Sequence, residues 1–120
     1  MKVAISSQGK DLHSNLDERF GRANFFLLMD SNSQKVLTVL DNNEAKDMPH
    51  GAGIQAALKV VEADADVVLT GIMGPKAFSL LQAAGVKVIS GLKGNINDVL
   101  DKFLSENFSP DQGPTSHGHV

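Results

Sequence analysis

The segment LDERFGR, Leu16 to Arg22, places Arg19 and Arg22 beside Gly21. Two guanidinium groups next to a residue that lets the backbone approach closely can grip an anion through charge-assisted hydrogen bonds. Asp17 and Glu18 complicate this. They either neutralise the arginines in a salt-bridged loop or point away and orient them, and residue types alone leave both readings open. A second segment, TGIMGPKA, carries Thr70, Gly71, Gly74 and Lys76 ahead of a helical pattern. Its glycines permit a tight turn, its amides can face an anion at the positive end of the following helix, and Lys76 adds a point charge. The plain alternative is a well-formed strand-to-helix turn with a solvated lysine. The string is neither a Walker loop nor a dinucleotide fingerprint.

A third segment, PHGAG, holds His50 between Pro49 and the pair Gly51 and Gly53. The imidazole could hydrogen-bond an anion, shuttle a proton or ligate a metal, against the alternative of an exposed loop. SGLKGNI, Ser90 to Ile96, again combines glycines with a lysine, Lys93. Near the C-terminus, His117 and His119 flank Gly118 and could chelate a borderline metal in an extended conformation, although a frayed tail without a metal role fits the same residues. Asp17, Glu18, Asp30 and Asp66 form no recognised chelating motif, and no serine, histidine and acid set can be assigned, so a hydrolase or nuclease is the weakest class.

Composition narrows the chemistry. The chain has no cysteine, which removes thiol nucleophiles, disulfides and thiolate-held metal clusters. Its 11 basic and 14 acidic side chains give a net charge of −3, a poor basis for general nucleic acid or anionic membrane binding. No apolar run approaches the roughly 20 residues of a membrane span, and the start has no signal-peptide core, so the expectation is a soluble, cytoplasmic protein. At 120 residues it should form one domain, expected over 1–108 with a flexible tail over 109–120, burying roughly 65% of the surface its unfolded form exposes.

These segments need elements to hold them. Lys2 to Ile5 reads as a strand, and Phe25 to Met29 and Val36 to Leu40 as a hairpin around Asp30, Ser31 and Asn32. DNNEAKDMPHGAG, Asp41 to Gly53, is turn-rich throughout and is expected to be the longest functional loop, outside the core. Ile54, Ala57, Leu58 and Val61 have the spacing of one helical face. A short strand ends near Thr70. Pro75 suits a first helical turn, Ala77, Leu81 and Ala84 could face a sheet, and Gly85 could end that helix. Val86 to Ile89 returns to strand, and Ile96, Val99, Leu100 and Phe103 mark a last amphipathic helix. Alternating strands and helices in the second half imply parallel strands, which predicts a small mixed α/β sheet covered by helices. In such a sheet the loops after the parallel strands share one edge, where open α/β folds bind ligands.

The ordered combination LDERFGRANFFLL, HGAG and VVLTGIMGPKAFSLLQAAGVKV resembles the nitrogenase iron-molybdenum cofactor biosynthesis family, which includes cofactor-precursor carriers and small molybdenum-copper orange proteins. The resemblance extends over Lys2 to Phe103. It implies a ribonuclease-H-like mixed sheet flanked by helices, without nuclease chemistry, and noncovalent binding or delivery of an anionic metal-sulfur cluster. A molybdenum-copper sulfide and an iron-molybdenum cofactor precursor are both implied cargoes, and a cofactor-assembly or recipient protein the implied partner. It points to Arg19, Gly21, Arg22, His50, Gly51, Gly53, Thr70, Gly71, Gly74 and Lys76 as cofactor contacts or loop builders, none of them catalytic. His50 is the candidate direct metal ligand, with His117 and His119 auxiliary. A cofactor-free interaction or regulatory module remains the principal alternative.

Overall fold

A computed structural model describes residues 1–105, 110, 111, 113 and 114. The five strands are β1 (Lys2–Ser7), β2 (Phe25–Asp30), β3 (Lys35–Asp41), β4 (Val67–Leu69) and β5 (Lys87–Ile89). The helices are α1 (Asn43–Lys46), α2 (Ala52–Glu62), α3 (Pro75–Ala83) and α4 (Ile96–Ser105), with a 3₁₀ turn at Phe20–Arg22. The sheet order is β3-β2-β1-β4-β5. β2 runs antiparallel to β1 and β3, while β4 is parallel to both β1 and β5. This is the mixed, helix-flanked sheet the sequence predicts, including its hairpin.

Alternation along the strands feeds two cores. Ala4, Phe26, Leu28, Val68 and Val88 face α2 and α3, whereas Val3, Ile5, Leu27, Met29, Val67, Leu69 and Ile89 face α4. The central strand β1 is buried on both faces, as a strand covered by helices above and below must be.

The expectations fail locally in instructive ways. α2 buries Ala52, Ala56, Ala57 and Val60, while Leu58 is 39% exposed. Of the expected stripe, Ala57 is buried, Ile54 and Val61 are half-buried and only Leu58 is exposed, while small alanines let α2 approach α3 and the 3₁₀ turn closely. Ala84 is exposed, since the helix has already ended there and Gly85 takes a left-handed φ of 80°. The turn-rich stretch after β3 is not wholly outside the core. It holds α1, and Asn42 is fully buried, its Nδ2 donating to the Ala23 carbonyl at 2.8 Å. That amide serves a buried backbone acceptor that would otherwise have no partner. In the expected flexible tail, Asp111 is docked: its N–H donates to the Val88 carbonyl at 2.7 Å, and its carboxylate accepts from the Ser90 hydroxyl. His117 and His119 lie outside the described residues.

Candidate functional site

The C-terminal ends of β1, β3 and β4 and the start of β2 meet at one edge of the sheet. An open cleft of about 1010 Å³ lies there, lined by Gln8, Asp17, Glu18, Arg19, Arg22, Asn24, Lys46 and Asp47. What positions the arginines is the residue between them that sequence reasoning passed over. Phe20 is fully buried and packs on Phe26 with ring centroids 5.1 Å apart. Burying a phenylalanine contributes on the order of 3 kcal/mol, enough to anchor the RFGR turn with Arg19 and Arg22 at its surface. An arginine-flanked phenylalanine just before a strand was the available signal.

The two arginines are not neutralised by their acidic neighbours. Among the described residues the ion pair within 4 Å joins the N-terminal ammonium to Asp30, not Arg19 or Arg22 to Asp17 or Glu18. Asp17 instead accepts the Arg19 N–H at 3.3 Å. Arg22 donates through Nη1 to the carbonyls of Lys46 and Met48, at 2.6 and 2.7 Å. Lys46, also missed from sequence, donates through Nζ to Asn24 Oδ1 at 2.6 Å. The lining thus carries Arg19, Arg22 and Lys46 against Asp17, Glu18 and Asp47, so formal charge balances and selectivity must come from where donors point.

The TGIMG turn abuts the cleft from behind. Arg19 and Ile72 form a parallel bridge, and Phe20 N–H donates to the Ile72 carbonyl at 3.0 Å. At Gly71 a Cβ would meet the Glu18 carbonyl oxygen at 2.5 Å, so only glycine fits this close approach. Thr70 is fully buried, its hydroxyl accepting from Ser6 at 2.8 Å. Gly91 and Leu92 N–H groups donate to the Gly71 and Thr70 carbonyls, at 2.7 and 3.1 Å. Gly74 caps α3 in extended conformation, and Lys76 is exposed on its first turn.

The RFGR and TGIMG segments come together at this edge, whereas no residue of PHGAG lines the cleft. Arg19 and Arg22 line the cleft. Gly21 is buried within the 3₁₀ turn, and Thr70, Gly71 and Gly74 build the wall behind. His50 is exposed, and Gly51, with φ of 79°, starts α2, whose first turn contains Gly53. Neither His50 nor Lys76 lines the cleft, and among the described residues no three metal-ligating side chains cluster around His50. No helix among them is long and apolar enough to cross a membrane.

A three-layer α/β domain with a donor-bearing cleft at the end of its sheet is the class these features define. The family model described as dinitrogenase iron-molybdenum cofactor matches residues 1–106, and the chain belongs to that family, with a cofactor-related role. It is similar to the apo form of the orange protein from Desulfovibrio gigas, at 37% identity and TM-score 0.90 over 96% of both chains. A NifB-like protein from Thermotoga matches at 35% identity and TM-score 0.74 over 87% of both chains. An uncharacterised protein of Methanocaldococcus jannaschii is 23% identical over 105 residues, covering 87% of this chain and 86% of its own.

Proposed function

We propose that the cleft binds an anionic metal-sulfur cluster noncovalently and delivers it to a cofactor-assembly or recipient protein in the cytoplasm. The observation that carries this reading is the pair Arg19 and Arg22, held at the cleft surface by buried Phe20 without a carboxylate partner within ion-pair distance. Guanidinium N–H groups suit sulfido and oxo acceptors, and a chain without cysteine must hold such a cargo by hydrogen bonds and charge or through histidine. A molybdenum-copper sulfide and an iron-molybdenum cofactor precursor both present such a surface. We read the sheet order β3-β2-β1-β4-β5 as that of a ribonuclease-H-like fold used for binding.

In this reading Gly21, Gly51, Gly53, Thr70, Gly71 and Gly74 shape the loops, and Lys76, exposed outside the cleft, makes no contact with the cargo. His50 sits two residues beyond Met48, whose carbonyl Arg22 holds, and serves as metal ligand or as donor to sulfur. Anaerobic reconstitution with a copper-thiomolybdate cluster, followed by metal and sulfide analysis, tests the proposal. Replacing Arg19 and Arg22 together by alanine is expected to weaken binding by at least about tenfold, since each charged hydrogen bond contributes about 1.5–3 kcal/mol. Replacing His117 and His119 is expected to do less, because both guanidinium groups at the cleft are then retained. A larger loss from the histidine pair, or no cluster bound by folded protein, refutes the assignment.

A further inference from the structure

One wall of the cleft, residues 42–48, is held almost entirely by polar ties. Asn43 Nδ2 donates to the Asn24 carbonyl at 3.2 Å, Lys46 Nζ to Asn24 Oδ1, and Arg22 Nη1 to the Lys46 and Met48 carbonyls. Ala45 is the buried residue of α1. Four helical residues are far too few to sustain themselves in water, so the order of this segment depends on those ties.

Arg22, like Lys46, is a charged tie, and half of its guanidinium is uncommitted. Both Nη1 hydrogens are used by the two carbonyls, while Nε and Nη2 have no partner among the described residues. Nε–H and one Nη2–H project in parallel along a single edge of the planar group, the edge that accepts an anion bidentately. Arg22 can therefore take a cleft anion on one edge without releasing the segment on the other. We propose that Arg22 couples occupancy of the cleft to the order of residues 42–48, so that loading tightens α1 and changes the surface shown to a recipient. An anion on the free edge removes side-chain freedom that otherwise competes with the carbonyl bonds. By linkage, whatever secures the segment must strengthen anion binding by the same factor. Asn43, which does not line the cleft, thereby becomes a positioning residue acting through Arg22.

This inference rests on the anion-binding reading, and its test separates the two. Tetrathiomolybdate is titrated while visible absorption reports binding and amide hydrogen exchange is followed at Lys46 and Met48, whose N–H groups donate to Asn42 and Ala45. Exchange at both amides should slow about fivefold at saturation, with the Gly91 amide as an unchanged control. Arg22→Lys, which keeps the charge but loses the two-edged fork, should bind more weakly and show no slowing. Asn43→Ala should weaken tetrathiomolybdate binding about threefold to tenfold. Binding with unchanged exchange at Lys46 and Met48, or unchanged affinity in Asn43→Ala, overturns the coupling alone. Failure of folded wild-type protein to bind any metal-sulfur anion overturns the cluster reading and the coupling with it.

Discussion

RFGR and TGIMGPK have nearly the same chemical vocabulary, glycine beside cations at one edge of one sheet, yet the structure uses them oppositely. In TGIMGPK, apart from the exposed Lys76 side chain outside the cleft, the polar and flexible groups described are consumed by the chain itself. Gly71 admits the Glu18 backbone, the Thr70 hydroxyl meets Ser6, and the Thr70 and Gly71 carbonyls hold Leu92 and Gly91. In RFGR the backbone is consumed, through the Ile72 bridge and the burial of Phe20, while the Arg19 side chain and part of Arg22 remain available. A ligand surface is thus distinguished from scaffold by which donors are left over, not by composition.

Two substitutions break the scaffold side of this contrast. Phe20→Ala is expected to cost about 3–5 kcal/mol by opening a cavity beneath both arginines, read as a lower denaturant midpoint. Gly71→Val should cost about 1–3 kcal/mol, because its Cβ collides with backbone at Glu18 rather than with a yielding side chain, and cluster affinity should fall with it. Near-wild-type stability for either variant would show that the RFGR turn is not held in this way.

The next pair sharpens the ligand side. Glu18→Gln removes a carboxylate from the cleft and is expected to strengthen anion binding by about twofold to fivefold, an effect that shrinks in high salt. Lys76→Ala should change stability by less than about 0.5 kcal/mol and leave affinity nearly unaltered, since Lys76 is exposed outside the cleft. Equal losses from Lys76→Ala and the double arginine variant would erase the distinction between the two segments.

The smallest effect concerns acid. Hydrogen bonds from the Asn32 backbone to Asp30, and from the Asn43 backbone and side chain to Asp41, hold both carboxyls below their ordinary value of 3.8. A carboxyl lowered on folding adds stability above its unfolded value and loses it as pH falls through the folded one. Asp41 is exposed and Asp30 only half-buried, so acid should loosen these turns only slightly and only below the usual carboxylate range. Carboxyl-carbon titration by NMR should show Asp41 returning toward 3.8 in Asn43→Ala.

Strand existence and order of elements were legible because continuous apolar runs bounded by turn residues, such as Phe25 to Met29, and helical spacing such as Ile96 to Phe103 are local signals. The face of α2 was legible only in part, through Ala57 and Val61, because alanines that allow close packing carry little hydrophobic signal, while Leu58 carries much and lies at the surface. At the site, Arg19 and Arg22 were legible as a charge pair beside glycine. Lys46 and Asn24, distant in sequence, enter only through long-range hydrogen bonds, and burial of Asn42 in a turn-rich stretch has no periodic signature at all.

Cargo should meet RFGR and not TGIMGPK or the residues around His117 and His119. Amide chemical-shift mapping of isotopically labelled full-length protein, titrated anaerobically with a copper-thiomolybdate cluster, tests it most directly. The largest shifts are expected at Gln8, Glu18 to Arg22, Asn24, Lys46 and Asp47, with small shifts at Lys76. Shifts concentrated at Lys76 and the residues around His117 and His119, with Arg19 and Arg22 unmoved, would contradict it.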